Sequence, residues 1–265
     1  RLAVYLSSAS NELLATTEAL LLPLRADHEV AAALCLKMGM RSCKELRVAK
    51  EVYLLNKDLT AADLGLLGTL GSVLSALEML TLSSFTIAAI PNGVQLLAEG
   101  LGAGALPAVT TLKIFGMHVG DTGASALATA LGQRALPRLK NLVLCHTAIG
   151  DAGLVALAPE LRRRHALDKL TLLGNKFGDE GLVALVAPPL LAGAPTPTTE
   201  GLAELTVLYL RGAQITDAGC APLTASLDNG AMPALKRLYL YDSSASDSAI
   251  GGVHGALARD NRLNR

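Results

Sequence analysis

The chain has 265 residues (27.3 kDa), 51% of them hydrophobic but only 3% aromatic, so any core must be aliphatic. Lys+Arg and Asp+Glu are equal at 23 each and the pI is about 7.1. That balance excludes a nucleic-acid backbone or an anionic membrane surface as the main partner, because both need an excess of basic residues.

The chain begins at Arg1 and reads as a fragment or a processed product. No apolar run reaches the roughly 18 to 20 residues that span a bilayer. The longest candidate, Leu13 to Leu24, is interrupted by Glu18 and Pro23, so no membrane insertion is expected. Residues 1–45 carry no repeat. Asn11 to Leu22 and Asp27 to Met38 read as two helices. The expected role is an N-terminal helical cap, since a repeat array must cover its terminal apolar layer. The alternative is an adaptor helix pair of F-box type, suggested by Leu22-Pro23 followed by Val30 and Leu34.

Residues 46–258 hold about seven copies of the pattern L-x-x-L-x-L-x-x-x-x-L. Its fourth and sixth positions are Val52/Leu54, Leu80/Leu82, Leu112/Ile114, Leu142/Leu144, Leu170/Leu172, Leu208/Leu210 and Leu238/Leu240. Steps between the sixth positions are 28, 32, 30, 28, 38 and 30. Period-2 alternation over these residues predicts a short strand in each copy. Four copies continue as Val119-Gly-Asp-Thr-Gly, Ile149-Gly-Asp-Ala-Gly, Phe177-Gly-Asp-Glu-Gly and Ile215-Thr-Asp-Ala-Gly, ahead of a run with helical period. Asp121, Asp151, Asp179 and Asp217 are each expected to cap their own helix. Pro107, Pro137 and Pro233 stop three helices and favour an extended chain into the next strand. Each unit is therefore strand, turn, helix and return, and only stacking buries its apolar face.

These periods, with Leu142-x-Leu144…Ile149-Gly-Asp-Ala-Gly-Leu-x-Ala-Leu-Ala, resemble leucine-rich repeats of the ribonuclease-inhibitor type. Similar repeats occur in NOD-like receptors and the Ran GTPase-activating protein. The resemblance implies an α/β solenoid, a horseshoe with parallel strands on the concave face and helices on the convex face. It also implies a protein-binding scaffold without catalysis or cofactor, or alternatively a regulator of an enzyme such as a small GTPase. A structural subunit of a larger complex is a further reading. One departure concerns the ninth position, where the family usually places Asn, Cys or Thr. Here that column runs Lys57, Phe85, Met117, Thr147, Asn175, Ala213, Ser243, so a hydrogen-bonded ladder there should be discontinuous.

The step of 38 contains a Pro-rich insertion at 186–200, with four prolines; it reads as a surface loop or a contact loop. Residues 259–265 read as a C-terminal tail.

Positions 3, 5 and 7 of each strand should face outward. They collect four of the five tyrosines. Tyr209, Arg211, Arg237, Tyr239 and Tyr241, with Asp242 beside them, fall on the last two strands and form the first candidate partner-binding patch. Tyr and Arg are enriched at binding hot spots, although exposed Tyr also reflects strand propensity. Phe115 and Lys113 in the middle of the array and Tyr53 at its start extend the candidate face.

No catalytic or metal-binding constellation is expected. The four recurring aspartates fit capping. Cys145-His146 has no orienting third group, and Cys145 reads as a surface thiol. His118 and His146 sit in neighbouring turns but are only two ligands. Gly100-Leu-Gly-Ala-Gly lies at a helix end, not between strand and helix. Arg162 to His165 ends a helix and reads as a solvated basic edge. Cys35, Cys43, Cys145 and Cys220 are scattered, without zinc-type spacing or a disulfide framework, and no Asn-x-Ser/Thr sequon occurs. An intracellular, cytoplasmic location is expected.

Overall fold

The computed structural model describes residues 28–55, 59–84, 92–186 and 202–263. The expected helix at Asn11 to Leu22 and the insertion after Val186 lie outside these residues. The chain divides into two compact units, residues 1–46 and residues 47–265.

In the first unit, residues 28–37 form helix α1. A Schellman turn ends it: the Met40 amide donates to the Cys35 carbonyl (2.8 Å) and the Gly39 amide to that of Leu36 (2.9 Å). Gly39 sits at φ +81°, a conformation that favours glycine. Helix α2 (Cys43–Val48) follows, with Ser42 accepting from the Glu45 amide at 3.3 Å.

The second unit is a leucine-rich-repeat solenoid. Its strands are β1 (Glu51–Leu55), β2 (Met79–Ser83), β3 (Thr111–Phe115), β4 (Asn141–Cys145), β5 (Lys169–Thr171), β6 (Val207–Tyr209) and β7 (Arg237–Tyr239). They form one parallel sheet in sequence order. A helix follows each strand: α3 (Ala61–Thr69), α4 (Gly93–Gly100), α5 (Gly120–Gly132), α6 (Asp151–Arg162), α7 (Asp179–Val186), α8 (Asp217–Asp228) and α9 (Asp247–Leu263). Because α9 runs to Leu263, most of the segment read as a tail is helical. Helices occupy roughly twice the spacing of strands, so stacking curves the array with the sheet on its concave side.

Register explains the repeat. Leu80, Leu112, Leu142, Leu170, Leu208 and Leu238 pair in one row, each buried. Leu77, Val109, Leu139, Leu167, Leu205 and Leu235 are likewise buried. The prolines do not end the helices, since α4, α5 and α8 stop five to seven residues before them at Gly100, Gly132 and Asp228, and the chain at them is a turn rather than extended. Val109 donates to Leu106, Leu139 to Leu136 and Leu235 to Met232, which closes β-turns with Pro107, Pro137 and Pro233 at their second position. The fixed φ of proline suits that position.

The aspartates do not cap their own helices. Each carboxylate reaches forward to the next repeat. Asp121 Oδ1 accepts from the Gly150 and Gly153 amides (2.7 and 3.0 Å). Asp151 Oδ1 accepts from those of Gly178 and Gly181 (2.8 and 2.7 Å). Asp179 takes the Thr216 amide and hydroxyl, and Asp217 takes the Ser246 amide and hydroxyl. The free amides of one helix start are thus satisfied by the preceding repeat. This also explains the glycine two residues after the aspartate. A Cβ on Gly153, Gly181 or Gly219 would lie 2.6, 2.9 or 2.2 Å from the carboxylate oxygen arriving from the previous repeat.

The ninth-position ladder is indeed discontinuous. Asn175 is buried and makes five bonds. Its Oδ1 accepts from the Thr147 amide, the Thr147 hydroxyl and the Ile149 amide, and its Nδ2 donates to the Leu144 and Leu172 carbonyls. The basic stretch after α6 departs from a solvated edge. Only Arg163 pairs outward, with Glu160. Arg162 is buried and donates to the Ala184 carbonyl. Arg164 donates to the Leu131, Ala135 and Leu136 carbonyls, capping the end of α5, and burial lowers its pKa.

Replacing Asn175 with Ala should cost about 3 kcal/mol, because it orphans buried donors and acceptors at once; the urea midpoint measures it, and a loss within noise would contradict the ladder. Asp217 has its pKa lowered, first by the Ser246 amide and then by its hydroxyl. A depressed carboxylate stabilises the fold above its unfolded pKa and stops doing so as pH falls through the folded value. The stability gap between wild type and Asp217→Ala should therefore close below pH 3.8, the ordinary value; equal gaps at neutral and strongly acidic pH would exclude the bond.

Candidate functional site

The outward columns of the sheet are not uniformly open. Glu51, Tyr53, Leu55, Lys169, Arg211, Arg237 and Tyr241 are exposed, and Lys113, Phe115, Tyr209 and Tyr239 are half-buried. Five residues expected outside are buried instead: Thr81, Ser83, Thr111, Cys145 and Val207. Register supplies the reason. Thr81 lies between Tyr53 and Lys113, Ser83 between Leu55 and Phe115, Thr111 between Met79 and Asn141, and Val207 between Lys169 and Arg237. Cys145 lies beside Phe115. At a strand spacing of about 4.8 Å, larger neighbours shade a smaller side chain.

The two last strands bring their aromatic residues together. Tyr209 and Tyr239 pair in register and stack, with ring centroids 4.1 Å apart and planes 3° apart. Tyr241 meets Tyr239 edge-on at 6.4 Å. His254, from α9, lies 6.2 Å from Tyr241 and continues the row. Beside it, Arg211 Nε donates to Asp242 Oδ2 at 2.7 Å. Asp242 holds the left-handed end of the strand turn at φ +55°, where the four preceding repeats place Gly116, His146, Gly174 and Gly212. The Tyr239 hydroxyl pushes the Tyr209 pKa up, with burial adding and the Arg237 charge opposing.

The other candidates are separate. Tyr53 is six strands from Tyr239, roughly 30 Å at the usual spacing. Its hydroxyl donates to Glu51 Oε2 at 2.8 Å, which raises its pKa. Lys113 and Phe115 sit on β3 between the two ends. His254 was not legible as part of the row, because nothing in the phase of α9 marks it.

Cys145 and His146 have different surroundings. Cys145 is buried, not a surface thiol, and burial raises its pKa to about 11 although the Leu173 amide opposes this. The His146 ring lies over Gly174, where a Cβ would come 2.2 Å from Nδ1, and the His118 ring lies over Gly120. Among the described residues no group of three or more His, Cys, Asp or Glu is placed to hold a metal ion. No described helix is long and apolar enough to cross a membrane.

The stacked parallel strands and helices have the arrangement of a leucine-rich-repeat solenoid. The sequence model of that repeat matches residues 167–186 and 204–223. Among solved structures, the chain is similar to an internalin from Listeria monocytogenes, at 15% identity and a TM-score of 0.37. The match covers 70% of this chain and 48% of that one, so the chain spans about half the internalin's length. No curated protein matches. Leucine-rich repeats generally mediate protein–protein interaction and are typically non-enzymatic.

Cys145 should resist alkylation by iodoacetamide in the folded protein at neutral pH and react fully in denaturant. Rapid native labelling at Cys145, read by peptide mass, would show the thiol accessible after all.

Proposed function

We propose that this solenoid is a non-enzymatic binding module, a scaffold that holds one protein partner on the concave face of its sheet. We further infer that its repeats are of the ribonuclease-inhibitor type, a reading supported by complete helices of 12 or 13 residues in α5, α6 and α8. Four free thiols among the described residues suit the reducing interior of a cell, and we assign the protein to the cytoplasm.

The observation that carries the binding site is the row Tyr209, Tyr239, Tyr241. Three rings of an aromatic-poor chain meet on two adjacent strands at the open side of the sheet. They are prepacked against one another, so little rotamer freedom remains to be lost on binding. Arg211, Arg237 and Asp242 surround them with charged groups able to hydrogen-bond a partner's backbone or side chains. A rigid aromatic centre with a polar rim is the usual anatomy of a hot spot. Lys113, Phe115 and Tyr53 lie further along the same face and extend the footprint.

The test compares the wild type with the quadruple variant Tyr209→Ala, Arg211→Ala, Tyr239→Ala, Tyr241→Ala in affinity capture, with circular dichroism establishing that both fold. The captured partner should bind the variant at least about thirtyfold more weakly, the scale of one or two lost hot-spot side chains. Equal affinity for the folded variant would remove the patch from the interface.

A further inference from the structure

We propose that Cys35 and Cys43 form a dithiol that a small-molecule disulfide converts to an intramolecular disulfide, stapling α1 to α2. Their sulfurs lie 3.8 Å apart across the turn that joins the two helices. A disulfide bond is about 2 Å long, so the sulfurs need to approach by less than the width of one atom. The turn holds them in place from both sides. The Schellman bond from the Met40 amide ends on Cys35 itself, and the glycine at 39 fixes the reversal. On the other side Ser42 takes the Glu45 amide, while the Glu45 carboxylate takes the Arg41 amide at 2.7 Å. Cys43 is the first residue of the helix so capped.

The two thiols are not equivalent. Cys35 is buried, at 1% exposure, and Cys43 is partly open. Burial, with the neighbouring Cys43 and Glu45 adding to it, raises the Cys35 pKa to about 11. Cys43 therefore meets the reagent first. Its thiolate attacks one sulfur of the small-molecule disulfide, forming a mixed disulfide and releasing one small thiolate, which takes up a proton. The Cys35 sulfur then attacks the Cys43 sulfur, and the second small thiolate leaves carrying the proton that Cys35 gives up. Two protein thiols are oxidised, and one small disulfide is reduced to two thiols. Cys145 and Cys220 are each buried in a separate repeat and stay out of the exchange.

The experiment incubates the whole folded chain with oxidised glutathione, blocks free thiols with an alkylating agent, and reads intact mass and peptide map. The expected main product has lost two hydrogens and yields one cross-linked peptide joining Cys35 to Cys43. Cys145 and Cys220 should remain as free thiols. The Cys35→Ser variant should stop at a stable glutathione adduct on Cys43. A wild type that accumulates that same adduct without the cross-link, a wild type in which neither Cys35 nor Cys43 reacts, or a cross-link to Cys145 or Cys220 would each overturn the proposal. The wild-type map decides the matter even if the variant does not fold.

Discussion

No repeat in this protein can bury its own aliphatic face, and everything else in the solenoid follows from that. A strand of three to five residues and a helix of 8 to 17 leave one apolar side each. The only surface that matches it is the same surface on the next repeat. The leucine rows are the result: identical positions stacked in register, with no aromatic bulk required. A chain with 3% aromatic residues can build a large core this way, because the core grows lengthwise rather than outward. Two packed neighbours also share polar debts. At the starts of α6, α7, α8 and α9 backbone amides take their partner from the preceding repeat, whose aspartate supplies it.

Much of this was legible in the sequence. Alternation over residues such as Leu142, Val143 and Leu144 marked the strands, and the 28-to-38-residue steps located all seven. The weak ninth column correctly foretold a broken ladder centred on Asn175. What the sequence could not convey was reach between repeats. Asp151 sits where a capping residue belongs, but its carboxylate spans to Gly178 and Gly181 in the following turn. A linear motif records the aspartate and the glycine as neighbours, although Gly153, Gly181 and Gly219 each make room for the aspartate of the repeat before. The arginines at the end of α6 misled for the same reason, since the carbonyls bonded by Arg164 belong to the end of α5 and the turn after it, and that bonded by Arg162 to α7.

The candidate face was legible only in outline. Parity along a strand told which side chains point away from the core, and it placed the tyrosines of β6 and β7 together. It could not tell which would be shaded. Thr81 and Ser83 point outward by parity yet are buried, because exposure on a sheet depends on the neighbours in the cross-strand row. The stacking of Tyr209 on Tyr239 follows from their direct pairing. The addition of His254 depends on how α9 is seated, and the approach of Cys35 to Cys43 on a turn eight residues wide; neither has a periodic signature.

The forward reach of the aspartates gives the array a grammar. At three junctions an aspartate of one repeat faces a glycine of the next, and the two positions lie 30 to 40 residues apart in Asp121/Gly153, Asp151/Gly181 and Asp179/Gly219; at the fourth, where Asp217 bonds Ser246, the same position is Ala249. The repeats of β4 and β5 can therefore be duplicated or deleted without breaking this pattern, since each junction so formed again sets an aspartate before a glycine. A single substitution at either position strands its counterpart. The same bond that joins two units thus makes the unit, rather than the residue, the natural step by which this surface can lengthen or shorten.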